Sequence, residues 1–298
     1  MDKKVIVITG ASSGFGALTA RKLAKSGHIV YAGMRNTTDR NKDKVADVEQ
    51  FSKENNVNLS AIEMDVSSQA SVDAAVAKIE AEQPNGIDVI IHNAGHMVVG
   101  AMEAFSPEQL AELYDINVLS TQRVNQAVLP AMRSRKDGLV MWISSSSVKG
   151  GTPPYLGPYF AAKAGMDSIA VSYAAELVRF GIETSIIVPG SFTKGTNHFQ
   201  NSGRPENQDI QNQYDELYPK LMDDVSNKLA NLFPTDGDVS QVADEIDRII
   251  SLPKGEKPFR SHIDPADDGS KKVSDISDQN RSEFLERIGL KDLLNIKK

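Results

Sequence analysis

One stretch near the N-terminus constrains this chain more than any other. Val5-Ile6-Val7-Ile8 runs straight into Thr9-Gly10-Ala11-Ser12-Ser13-Gly14-Phe15-Gly16, and a helical pattern follows through Leu18, Leu23 and Ala24. An unbroken aliphatic run of this kind suits a central parallel strand that is covered on both faces. Strand, glycine-rich turn and helix together form the setting of a dinucleotide-phosphate site. Glycines let the backbone turn tightly and approach a pyrophosphate, whose charge meets the helix N-terminus. The spacing here is Gly-x3-Gly-x-Gly rather than the familiar G-x-G-x-x-G. Three glycines can serve a tight turn and nothing more, so the flanking strand and helix carry the inference.

The alternation continues. Strands are expected at residues 29–34, 59–64, 89–91, 139–143, 182–188 and 258–263, with helices at 43–55, 71–81, 106–135 and 239–252 and another that carries Tyr159 and Lys163 and runs to about Phe180. Ser106-Pro107-Glu108-Gln109 is a helix start, with an N-cap serine, proline in the first turn and glutamine at the capping-box position. Such regularity predicts an α/β fold: a Rossmann-type doubly wound parallel sheet of about seven strands with helices on both faces. Ligands bind at the carboxyl ends of strands in such sheets. The glycine turn, Asp65-Val66, Asn93-Ala94-Gly95, the serines 144–147 and Pro189-Gly190 all fall at those ends. The second strand ends in Gly33-Met34-Arg35, with no acid to bind a ribose 2′-hydroxyl. A cation there suits a 2′-phosphate, which points to NADP(H), with NAD(H) possible.

Tyr159-Phe160-Ala161-Ala162-Lys163 places a phenol and an amine one helical turn apart on one face. Free tyrosine titrates near pH ~10, and a neighbouring ammonium favours the phenolate, drawing that value toward neutrality. A serine hydroxyl beside the pair would polarise a carbonyl oxygen. Alone, such a pair is a common surface contact; the strand-end motifs around it give it weight.

Composition narrows the classes. A net charge of −7 over 298 residues speaks against a nucleic-acid partner, and the absence of cysteine excludes disulfides and thiolate chemistry. No stretch approaches the ~18 apolar residues that cross a bilayer, so a soluble, cytoplasmic protein is expected. His92 and His96 stand four apart on a glycine-containing loop with no evident third ligand, so no metal site is expected. The chain is read as a single domain over 1–298. A polar insertion at 191–238, with a helix near 215–232, serves as a lid. A C-terminal extension at 264–298 opens with an acidic, polar segment, 264–278, and ends in an amphipathic stretch.

TGASSGFG (9–16), Asp65-Val66, HNAG (92–95), Asn117, the serines before Gly150-Gly151, YFAAK (159–163) and Pro189-Gly190 together resemble the short-chain dehydrogenase/reductase family over about residues 3–195. The resemblance implies Tyr159 as general acid/base and Lys163 holding the nicotinamide ribose while lowering the tyrosine pKa. It implies a serine that positions the carbonyl and Asn117 anchoring a water in a proton relay. Which serine acts has three answers: a separation of thirteen residues from the tyrosine selects Ser146, counting from the fifth strand selects Ser145, and the short run to Gly150 selects Ser147. Ser146 is taken here.

Cofactor contacts implied by the resemblance involve Gly10, Ser12, Ser13, Gly14, Phe15 and Gly16 at the pyrophosphate, Arg35, and Asp65 and Val66 at the adenosine half. They continue through Asn93, Ala94 and Gly95 to Pro189, Gly190, Phe192 and Thr193. Lys194 stands where the family has a threonine. The implied reaction is hydride transfer between nicotinamide and the ketone or secondary alcohol of a lipophilic small molecule. A wall of Met97, Val98, Val99, Thr152, Pro153, Pro154, Tyr155, Phe192, His198 and Phe199 is expected around it. Alternatives are epimerisation or dehydration using the same cofactor transiently, or a cofactor-sensing regulator without turnover. Homodimers or homotetramers are common in the family.

Overall fold

The computed structural model describes residues 2–192, 201–232, 234 and 237–296. Seven strands, β1 (Val5–Ile8), β2 (Ile29–Met34), β3 (Asn58–Glu63), β4 (Val89–His92), β5 (Gly138–Ile143), β6 (Ile182–Pro189) and β7 (Arg260–Ile263), form one sheet. Its order is β3-β2-β1-β4-β5-β6-β7, and every pairing is parallel. The chain winds outward from β1 to β3, then crosses back to β4, so the order reverses between β1 and β4. A crevice opens there at the carboxyl ends of the strands.

Side chains alternate across the sheet and split the core into two layers. Ile6 and Ile8 of β1 pack with Ala20 and Leu23 of helix α1 (Gly14–Lys25) and with Val242, Ile246 and Ile249 of helix α9 (Ser240–Ser251). Helix α2 (Lys42–Asn55) adds Val48 to this layer. On the other face Val5, Val7, Ile90, Val140 and Trp142 meet the helices α3 (Gln69–Glu82), α5 (Ser120–Arg135) and α6 (Gly157–Leu177). Trp142 is fully buried. Burial of each large apolar side chain stabilises the fold by about 1.5–3 kcal/mol.

Three expectations are corrected. The helix anticipated over 106–135 is interrupted: α4 (Pro107–Tyr114) opens with the expected capping box, a π-turn spans Asp115–Leu119, and α5 follows. The Asn117 side chain drives that turn by bonding a neighbouring loop, as described below. The helix expected near 215–232 is two helices, α7 (Gln208–Leu217) and α8 (Leu221–Leu232), separated at Tyr218-Pro219-Lys220, where Lys220 takes a φ of 65°. The polar segment 264–278 contains the start of an 18-residue helix, α10 (Ser270–Arg287). Little apolar periodicity marks this helix because ion pairs tether it. Arg260 donates to Asp278 at 2.7 Å and to Asp167 of α6 at 2.7 Å, and Arg260 and Asp167 are nearly inaccessible.

Candidate active site

Two adjoining cavities occupy the crevice, of about 470 and 460 Å³, and both are lined by Phe15, Asn93, Gly95, His96 and Met97. The first is built from the turns after β1, β2, β3 and β4. Gly10 has a φ of 66°, and a Cβ on it would lie 2.7 Å from the Ala94 Cα. The turn therefore seats on the segment after β4 only as glycine. Asn93 ties the two together by donating to the carbonyls of Thr9 (2.9 Å) and Gly10 (3.0 Å). The Thr9 hydroxyl accepts from the backbone N–H groups of Asn93 and Ala94, each at 3.0 Å. Gly14 has a φ of 56°, and a side chain there would project into open space.

Helix α1 starts at Gly14 behind an extended Ser13 whose side chain makes no capping bond. The N-terminal amides of a long helix behind a glycine cradle suit a diphosphate. The donor set fits the dinucleotide expected of it. Ser12, Ser13, Phe15, Asp65 and Val66 line the same cavity. Pro189, Gly190 and Phe192 line the second, with Phe192 edge-on to Phe15 at 5.4 Å between ring centroids. Thr193, Lys194, His198 and Phe199 lie outside the described residues.

Arg35 is exposed at the end of β2 and lines the first cavity with Arg40, Asn41 and Lys44. The nearby acid, Glu63, faces away: its carboxylate accepts from the backbone N–H groups of Asn36 (2.9 Å) and Thr37 (2.8 Å) and from the Thr37 hydroxyl (2.5 Å). Burial alone would raise the Glu63 carboxyl, but these bonds hold it below its ordinary value. The rim is left with three cations and an acid already engaged with loop donors. Arg40 and Lys44 carry the same signal as Arg35 and sit in the same basic run of sequence.

The second cavity holds the reactive groups. Tyr159, Lys163 and Asp167 recur at intervals of four along α6 and share one face. Lys163 is buried and donates to the Ile143 carbonyl at 2.9 Å. Burial pushes its amine down to about 8, with the charge of Asp167 opposing. Asp167 in turn accepts from the Ser144 hydroxyl at 2.7 Å. Burial pushes the Tyr159 phenol up to about 12, while its hydrogen-bond partner Ser145 pulls the other way. The expected depression of the tyrosine by Lys163 is therefore corrected: desolvation of the phenolate dominates, and only the Ser145 bond opposes it.

The serine expectation is corrected as well. The hydroxyl beside Tyr159 belongs to Ser145, whereas Ser146 is engaged with Asp268. Strand β5 ends at Ile143, Ser145 is extended, and a 3-10 turn begins at Ser146.

Asn117, fully buried in the π-turn, donates to the carbonyls of His96 (3.0 Å) and Leu113 (2.9 Å) and accepts from the His96 N–H at 3.2 Å. A Cβ on Gly95 would lie 2.9 Å from the Asn117 carbonyl oxygen and 3.5 Å from the Lys163 amine. That glycine thus lets Asn117 and Lys163 close on the same point. His92 is structural: it lies buried against Trp142, bonds Asn125 at 2.8 Å, and burial pushes its imidazole down to about 4.

Of the expected substrate wall, Met97, Thr152, Pro153 and Phe192 line the second cavity. Val98, Val99 and Tyr155 are buried in packing clusters instead. Sequence reasoning missed Leu156, Phe160, Leu229, Leu232 and Asp268, which also line it; the last three come from remote segments that carry no motif.

The comparisons with known proteins follow this geometry. Residues 4–207 match the short chain dehydrogenase family. The chain belongs to that family. It is similar to the 3-ketodihydrosphingosine reductase of Bacteroides thetaiotaomicron, 34% identical over 195 residues, which is 65% of this chain. The match spans 66% of that relative's length, just under two thirds. A solved short-chain dehydrogenase from Streptomyces avermitilis is 25% identical, with a TM-score of 0.72 over 97% of this chain and 98% of its own. An actinorhodin polyketide ketoreductase solved with NADPH shares the fold at a TM-score of 0.71 and 24% identity, over 89% of this chain and 97% of its own. As in this family of oxidoreductases, the parallel sheet is flanked by helices, and among the described residues no helix is long and apolar enough to cross a membrane.

Proposed function

We propose that this chain is an NADP(H)-dependent oxidoreductase acting on the ketone or secondary alcohol of a lipophilic small molecule. One observation carries the reading: the Tyr159 and Ser145 hydroxyls meet in a largely apolar cavity that adjoins the glycine cradle. A nicotinamide bound across the two cavities would supply or accept the hydride at its C4. In the reducing direction the Ser145 hydroxyl holds the substrate carbonyl oxygen, and Tyr159 donates its proton to that oxygen as the carbon receives the hydride, leaving the alcohol. A phenol held at about 12 is a neutral acid at working pH, as this role requires. Lys163 and Asn117, converging at Gly95, hold the ribose side and resupply the proton. Gly10, Ser12, Ser13, Gly14, Phe15 and Gly16 hold the pyrophosphate. Asp65, Val66, Asn93, Ala94 and Gly95 take the adenosine half and adjacent ribose, and Pro189, Gly190 and Phe192 flank the nicotinamide.

Preference for the 2′-phosphate rests on Arg35, Arg40 and Lys44. The NADPH held by the similar ketoreductase supports the same cofactor, and the similar 3-ketodihydrosphingosine reductase supports the carbonyl chemistry. Segment 201–232 acts as the substrate lid. It is pinned to the 97–109 region, where the buried Gln211 accepts from the Ala101 N–H at 2.8 Å, and α8 supplies Leu229 and Leu232 to the cavity. Exposed Tyr114, just before the π-turn, and Leu119, at its end, suit a dimer or tetramer contact. A panel of ketones, aldehydes and secondary alcohols, with NADPH absorbance followed in both directions, tests the reading. Failure to turn over any member, with NADPH binding intact, would refute it.

A further inference from the structure

A carboxylate stands in the wall of the apolar cavity, contributed by the segment between β7 and α10. Asp268 lines that cavity together with Tyr159. Its Oδ1 accepts from the Ser270 N–H at 2.9 Å, and a Cβ on Gly150 would lie 3.2 Å from its Oδ2. The consecutive serines divide the cavity between the two groups, Ser145 partnering Tyr159 and Ser146 partnering Asp268. Directly behind lies Asp264, whose Oδ2 accepts from the Asp268 N–H at 2.8 Å. Burial pushes the Asp264 carboxyl up, and the Asp268 charge adds to this. Burial works against ionisation of Asp268 too, but bonds from Ser146 and Ser270 hold it below its ordinary value. The ionised form is therefore favoured on the member that faces the cavity.

Among the described residues neither carboxylate is in an ion pair, although Asp167 and Asp278 close by share Arg260. A half-buried charge without a counter-ion is costly, and an opposite charge within reach offsets it. We propose that Asp268 is the specificity-determining residue of this site, selecting lipophilic carbonyl substrates that also carry an ammonium group and rejecting those that carry a carboxylate. The inference rests on the oxidoreductase reading above. Tyr159 and Ser145 hold the reacting oxygen, and Asp268 pairs with the ammonium.

The test is a matched set of ketones sharing one apolar skeleton, in neutral, primary-amine and carboxylate forms, with the charged group at increasing distances from the carbonyl. kcat/KM is measured with NADPH for the protein as it stands and for Asp268→Asn and Asp268→Glu. The unaltered protein should prefer the amine over the neutral ketone and the neutral ketone over the acid. Asp268→Asn keeps an acceptor for the Ser270 N–H and should lower the amine-to-neutral ratio about tenfold to hundredfold while raising the acid-to-neutral ratio. Asp268→Glu should keep the preference for the amine. Equal use of all three forms by the unaltered protein would overturn the proposal, whether or not the variants fold. So would an Asn variant that scales all three alike, since that is the signature of a helix-capping role. Turnover of none of the three sinks the oxidoreductase reading and this proposal together, whereas turnover without discrimination sinks only the role of Asp268.

Discussion

The two cavities that meet at Asn93 and Gly95 have nearly the same volume yet are built by different means. The cofactor-side cavity is lined mainly by strand-end turns drawn from the first 97 residues, and its rim is cationic through Arg35, Arg40 and Lys44. The second cavity draws on β5, α6, the end of β6, α8 and the β7–α10 segment, and its wall is largely apolar, with Tyr159, Lys163, a run of serines and one acid set into it. Recognition of an invariant group such as a diphosphate can rest on backbone amides and glycines, which short local motifs supply. Recognition of a variable substrate rests on side chains brought from distant segments. The first is locally encoded, and the second depends on how helices dock.

Predictions that separate the two cavities can be ranked by size. Tyr159→Phe should reduce turnover by about 10²–10⁴-fold while NADPH affinity, read by fluorescence titration, changes little. A near-normal rate would remove the acid/base role and with it the division of labour between the cavities. Ser145→Ala should cost about 10²-fold in kcat, and Ser146→Ala only a few-fold. The reverse order would return the role to Ser146 and show that the turn after β5 does not decide it.

On the cofactor side, Arg35→Ala should weaken NADPH by about tenfold or more and leave NADH nearly unchanged, measured as the ratio of dissociation constants. An equal loss for both nucleotides would mean that the cationic rim does not read the 2′-phosphate. The smallest effect is in pH dependence. Lys163 is pushed down to about 8, so its charge is present below that value and lost as pH rises through it, whereas Tyr159 at about 12 stays protonated. kcat/KM for reduction should fall as pH rises through about 8. Lys163→Arg, which stays charged, should move that fall to higher pH. A profile that the arginine leaves in place would detach Lys163 from the limb.

How much of this was readable in advance follows the same division. The strand–turn–helix at 5–25, the alternation of elements and the convergence of Asn93, Gly95, Tyr159 and Lys163 on one sheet end all follow from local pattern. Each uses a period or a spacing that the neighbouring chain enforces. The π-turn at Asn117 was not readable, because it depends on a side chain bonding both carbonyl and N–H of His96 in another loop. Nor was α10, whose start lacks apolar periodicity and is held by Arg260 reaching both Asp167 and Asp278. Three adjacent serines were indistinguishable as sequence, since their roles depend on where an extended strand gives way to a tight turn.

What the amino-acid order determined by itself is the parallel α/β sheet, the family and the seat of a dinucleotide, since aliphatic runs, helix caps and glycine turns act over a few residues. Only the tertiary structure decided which serine meets Tyr159, that desolvation holds the phenol above rather than below its free value, and that Asp268 enters the wall of the second cavity. Those outcomes are set by desolvation and by contacts between separate elements, from the β5 turn meeting α6 to Asp268 arriving from the far end of the chain, and such quantities exist only once the chain has closed on itself.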